Sequence, residues 1–287
     1  MMNKFLIFAF SFAIIGAWNC QEQAFKIYTT SGKKTTYKKM SKDLLQQDAV
    51  FFGELHDNPI AHWLEFELAK HFLASKKVTF GAEMLEANDQ ELLDAFMSDS
   101  LNLHSFDSIA GLWGNFETDY LPVVELAKEN QSSFIATNIP RKYASQVFKQ
   151  GIASLELLPE EDKQWIAPLP IAYDSTLNCY AEMLKMMPGG HGGQNFPLAQ
   201  AIKDATMAHF ITQHMKVDTD NIFYHINGSY HSNNKEGIIW YLNLYRPGLR
   251  IANICVVSQA DINELEKENM GLADYVIVVD EDMTSTY

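Results

Sequence analysis

After its first residues the sequence has no second apolar run of membrane length, no long basic run, no internal repeat and no low-complexity tract. Without further apolar runs of about 20 residues, a bundle of membrane-spanning helices is excluded. Nothing basic offsets a net charge of −14, so nucleic acid is not an expected partner and anionic membrane surfaces are poorly matched. Three cysteines cannot build a disulfide framework. Cys179 and Cys255 could pair in an oxidising compartment, but Cys255 lies inside a strand-like run and reads as a small buried hydrophobe. What is present is ordinary globular material, 47% hydrophobic and 20% charged over 287 residues. That suits one large domain, or one domain with an insert.

The N-terminus reads as a targeting segment. A lysine at position 4 precedes an apolar run of 13 residues, 5–17, too short to span a bilayer comfortably. Cys20 follows directly, and the junction resembles a bacterial lipoprotein cleavage site with Cys20 as the lipid-carrying residue. We therefore read 1–19 as a signal peptide of lipoprotein type, 20–155 and 198–287 as an α/β domain, and 156–197 as a helical insert. The expected location is the cell envelope of a Gram-negative bacterium, lipid-anchored at the outer membrane.

Residues 24–40 read as two short strands around a turn. Strand-like runs follow at 48–54, 77–84, 132–138, 221–228, 249–257 and 274–280, with helical patterns between them. Runs of Val, Ile and Phe with little alternation belong to strands covered on both faces, so the expected fold is a mostly parallel β-sheet flanked by helices. Asn58 and Pro59 suit the N-cap and first position of a helix. The insert holds five of the nine prolines and a short Met-rich helix.

Ligands of open parallel sheets bind beyond the carboxyl ends of the strands. Those ends carry Glu54 and His56, then Glu83, then Asn138, then His231, and last Asp280 and Glu281. Glu54, His56, Glu83 and His231 together could hold a divalent metal or act as general acid and base. Individually, Glu54 or His56 could instead tie down a strand–helix turn. The insert offers a second candidate: His191 between paired glycines, with Tyr180, Met183 and Met187 at near-helical spacing, residue types that serve as haem ligands elsewhere. The plainer reading is that they cover the sheet edge. His62 and His71, on the helix after Pro59, read as surface or packing residues.

Five stretches in order, Gly53–Pro59, Gly81–Met84, Ala136–Arg141, Ala199–Ala208 and Asn227–His231, resemble the ChaN-like haem-binding uptake proteins. That family belongs to a wider group with the Tiki metalloproteases and erythromycin esterases. The resemblance runs from about residue 40 to 280. It implies a mostly parallel sheet with a smaller helical portion, haem bound partly by that portion, and two protomers able to bring haems face to face. The wider group implies hydrolysis through Gly-x-x-His motifs, here Gly53–His56 and Gly228–His231, with Glu83. Two functions stand open on this reading. One is a haem-binding lipoprotein for iron acquisition, with His191 or Tyr180 on the iron, Met183 and Met187 against the ring, and Arg141, Lys142 or Lys185 on the propionates. The other is a hydrolase of peptides or esters at Glu54, His56, Glu83 and His231.

Overall fold

The computed structural model describes residues 23–186 and 193–286. The signal-peptide reading, Cys20, Met187 and His191 lie outside the described residues.

The chain opens with strands β1 (Phe25–Thr29) and β2 (Lys34–Thr35), then helix α1 (Tyr37–Leu44), strand β3 (Ala49–Glu54), helix α2 (Pro59–Leu73) and strand β4 (Lys77–Glu86). Helices α3 (Gln90–Met97), α4 (Leu103–Ala110) and α5 (Leu121–Glu129) precede strand β5 (Phe134–Asn138). Helices α6 (Arg141–Gln150), α7 (Glu160–Lys163), α8 (Asn178–Met186) and α9 (Phe196–His214) follow. Strand β6 (Asn221–Gly228), helix α10 (Ile238–Tyr245) and strands β7 (Ile251–Gln259) and β8 (Tyr275–Asp280) complete the fold.

All eight strands form one sheet in the order β2-β1-β8-β7-β3-β6-β4-β5. The six strands from β8 to β5 are parallel, and β1 and β2 add an antiparallel edge. The α/β class and the parallel sheet are as the apolar runs predict. Every residue of β3 is buried, because helices cover both faces. One face packs Phe52, Phe80 and Tyr224 under α2 and α5, the other Ala49, Phe51 and Phe223 under α9 and α10. Helix α1 begins where the sequence suggested continuing strand, with the Thr36 side chain accepting from the Lys39 amide as its cap. No described helix is long and apolar enough to cross a membrane.

Two features aim side chains at one end of the sheet. Pairing of β3 with β6 runs to Glu54 opposite Gly228, so those strands finish together. Between β4 and β5 the register shifts from Ala82 to Glu86. That irregularity lies where β4 has left its pairing with β6, at Ala82–Ile226, and it frees Glu83 to lean across the end of β6. The helix after β3 starts sharply: Asn58 Oδ1 accepts from the Ile60 and Ala61 amides, and Pro59 stands at the first position. Replacing Asn58 with Ala orphans those amides, and we expect a loss of about 1 kcal/mol in urea unfolding with unchanged secondary structure by circular dichroism.

Candidate functional site

The ends of β3, β4 and β6 place two carboxylate–imidazole pairs beside Gly228. In the first, His56 Nδ1 lies 2.7 Å from Glu54 Oε1, and the Tyr120 hydroxyl donates to the same oxygen at 2.8 Å. Glu54 is fully buried, while the His56 side chain keeps 34% of its surface. Burial alone would push the Glu54 carboxyl up, but hydrogen bonds and charge from His56 and His62 hold it down at about 2. Burial pulls His56 down, yet the Glu54 hydrogen bond and the Glu83 charge outweigh it and raise its pKa. When His56 is neutral, Nδ1–H faces Glu54 and the lone pair sits on Nε2. Nε2 has no hydrogen-bond partner among the described residues. A side chain at Gly228 would place its Cβ 2.7 Å from that nitrogen and 3.5 Å from Glu83 Oε2, so only glycine leaves room for the ring.

In the second pair, Glu83 Oε1 lies 3.0 Å from His231 Nε2, and Glu83 Oε2 accepts the Gly228 amide at 2.8 Å. His231 Nδ1 meets Asp204 Oδ1 at 2.5 Å, and the Tyr180 hydroxyl donates to Asp204 Oδ2 at 2.8 Å. All four side chains are buried. Against the cost of burial, Glu83 and Asp204 raise His231 to about 9, so at neutral pH it is an imidazolium donating from both nitrogens. Burial pushes Glu83 up, but the charge and hydrogen bond of His231 win and hold it well below the usual carboxylate range. Gly237, at positive φ, lets the chain turn against the His231 carbonyl, where a Cβ would collide.

A cleft of about 380 Å3 opens over the first pair. His56 and Glu83 form its floor, Trp113, Leu112, Met84 and Ile139 its apolar walls, and Arg141 and Lys203 bring positive charge. Trp113 meets the His56 ring edge-on, with centroids 5.0 Å apart. Glu86 and Asp89 also line the cleft, Glu86 within reach of the Arg141 and Lys203 charges, and burial with the Glu86 charge lifts Asp89 to about 6.

The strand-end candidates Glu54, His56, Glu83 and His231 therefore stand together, and Asn138 lines the same cleft. Asp280, which ends β8, and Glu281 after it do not line it. The remaining candidates stand as follows. His231 faces carboxylates with both nitrogens, Glu83 at Nε2 and Asp204 at Nδ1. Tyr180 is wholly buried with its hydroxyl on Asp204, so it offers no oxygen to an iron in solvent reach; it supports His231 instead. His62, read as a bland helix residue, is buried between Glu54, Glu65 and Asp119. Met183 is also buried. Lys142 stacks over Tyr143 and Lys185 pairs with Glu182, and neither lines the cleft. The sequence reading missed Asp204, Lys203, Trp113 and Tyr120. A lone Asp among Ala201, Ile202, Ala205 and Ala208 was the available signal for Asp204, since a charge on an apolar helix face needs a partner.

Strands that end in paired acids and histidines beneath a cleft of mixed charge mark an α/β protein with a candidate site at its strand ends. The sequence matches the family of haem-binding uptake proteins of the Tiki superfamily, ChaN, over residues 40–242, and the chain belongs to that family. No curated protein matches it. Among solved structures, it is similar to ChaN of Campylobacter jejuni, described for cofacial haem binding, at 19% identity over 89% of this chain and 96% of that one, with a TM-score of 0.65. A Bacillus cereus protein is similar at 11% identity, covering 88% and 93%, with a TM-score of 0.50. At these identities the structural likeness carries the fold.

His231 is charged when folded and has its ordinary pKa near 6.5 when unfolded. Its stabilising contribution is therefore complete below about 6.5 and is lost as pH rises through about 9. We expect stability by urea unfolding to fall between pH 7 and 10 by up to about 3 kcal/mol more in wild type than in His231→Gln.

Proposed function

We propose that the protein is an envelope lipoprotein that binds haem for iron acquisition, with the strand-end cleft as the haem site. Family membership supports haem as the ligand. Haem asks for an axial donor, an apolar wall and cations for two propionates. The donor set of the cleft meets each need: His56 Nε2 for the iron, Trp113, Leu112 and Ile139 for the ring, and Arg141 and Lys203 for the carboxylates. The observation that carries the reading is His56 itself, fixed on one nitrogen by Glu54 and unpartnered on the other. A carboxylate behind an imidazole sets its tautomer and raises its basicity toward a metal. Bound haem would supply the iron; the chain supplies the ligand, its orientation and the counter-charge. Lipid attachment at Cys20 and a dimer that brings two haems face to face complete the proposal.

A hydrolase is the second reading, and Glu83 favours it. A carboxylate held ionised by His231 beside a basic imidazole can stabilise charge while His56 takes a proton from water. The substrate would be an ester or peptide with an anionic group for Arg141 and Lys203.

Haemin titration separates the two. Wild type should show a red-shifted Soret band at one haem per chain, and His56→Ala should lose most of the shift while His191→Ala keeps it. The opposite pattern moves the ligand to the insert. Unaltered free-haemin spectra with wild type, together with ester or peptide hydrolysis lost in His56→Ala, would replace haem binding with the second reading.

A further inference from the structure

Behind His56 lies a second cluster, of which the two readings use only Glu54. Glu54, His62 and Glu65 come from the end of β3 and two positions three residues apart on α2, and all are buried. One donor atom of each lies within 4.8 Å of the others. His62 Nδ1 is 3.1 Å from Glu54 Oε2 and 3.4 Å from Glu65 Oε2. Yet Glu54 Oε2 has no aligned hydrogen bond, and neither does Glu65 Oε1, although Glu65 is fully buried. The opposite nitrogen, His62 Nε2, is 3.1 Å from the His56 carbonyl oxygen and 3.4 Å from Asp119 Oδ2.

This pattern divides the imidazole into two ends. Nε2–H is satisfied as a donor to a carbonyl and a carboxylate, the outer support that metal-bound histidines have. Asp119 is itself fixed by the Asn115 amide at 2.8 Å and the Thr286 hydroxyl at 2.9 Å. Nδ1 faces two carboxylates, and these repel each other unless positive charge, a proton on Nδ1 or a metal cation in its place, lies between them. Donors about 2.1 Å from one ion sit about 3.0 to 3.4 Å from each other in octahedral or tetrahedral geometry, and His62 Nδ1 stands at that spacing from each of the two carboxylates. Glu54 divides its labour in the same way: Oε1 takes His56 and Tyr120, and Oε2 is left for the cluster.

We propose that Glu54 Oε2, His62 Nδ1 and Glu65 form a buried site for one divalent first-row cation such as Mn2+ or Zn2+. The ion is captured as α2 packs onto the sheet, since the site is closed in the folded chain. It holds Glu54, and through Glu54 it fixes the ring of His56. The site is separate from the cleft and stands whether the cleft takes haem or an ester.

The test uses the full chain, refolded with Mn2+ or Zn2+ and then passed over a chelating column. Metal analysis should give one ion per chain in wild type and in Asp89→Asn, whose carboxylate lines the cleft. It should give less than a tenth of that in Glu65→Gln and in His62→Gln. Electron spin echo modulation of the Mn2+ form should show one coupled imidazole nitrogen, a reading that needs only wild type. No retained ion, an ion without nitrogen coupling, or one retained in both variants overturns the proposal and leaves a proton shared between Glu54 and Glu65 as what neutralises the cluster.

Discussion

The buried carboxylate of Glu54 is the constraint on which the site depends. An ionised carboxylate removed from water costs several kcal/mol unless charge and hydrogen bonds replace its hydration. Three side chains answer that demand: His56 from the turn after β3, His62 from α2 and Tyr120 from the start of α5. Each partner brings its own element with it. The sharp start of α2 at Asn58 and Pro59, the course of the 115–120 segment and the setting of Trp113 beside His56 all keep these donors in reach. Removing Glu54 would therefore loosen a junction of three elements, and His56 would lose its orientation along with its partner.

Glu83 solves the same problem differently. It has backbone on one oxygen and an imidazolium on the other, and that imidazolium is secured by Asp204 and Tyr180 from α9 and α8. The helical segment between α7 and α9 thus reaches the strand ends through Tyr180, though not through an exposed ring. The two pairs meet at Gly228 with opposite tasks. His231 is locked and charged, while His56 has one nitrogen held and one available. The same asymmetry would serve iron ligation or proton transfer.

Much of this was legible in the chain. Runs of Val, Ile and Phe located every parallel strand because burial on both faces leaves no polar alternation to confuse them. The polar residues at or just past the ends of those runs, Glu54, Glu83 and His231, gave half of the first pair and the whole of the second, and His56, two residues after Glu54, completed the first. What the sequence hid were the partners supplied by helix faces. Asp204 and Glu65 look like ordinary helical acids until packing turns them inward, and His62 was read as bland because its helix carries histidines on more than one face. Tyr180 misled for a related reason: spacing shows that it shares a face with Met183, but not whether that face meets solvent or α9.

The account turns on the division between the two histidines, and nitrogen-15 spectra of the side chains of histidine-labelled protein read it directly. At pH 7.5 His231 should appear with both nitrogens protonated, and on deprotonation His56 should become the tautomer with its proton on Nδ1, with Nε2 bare. A neutral His231 at that pH, or a His56 that keeps its proton on Nε2, would contradict the paired-carboxylate site described above.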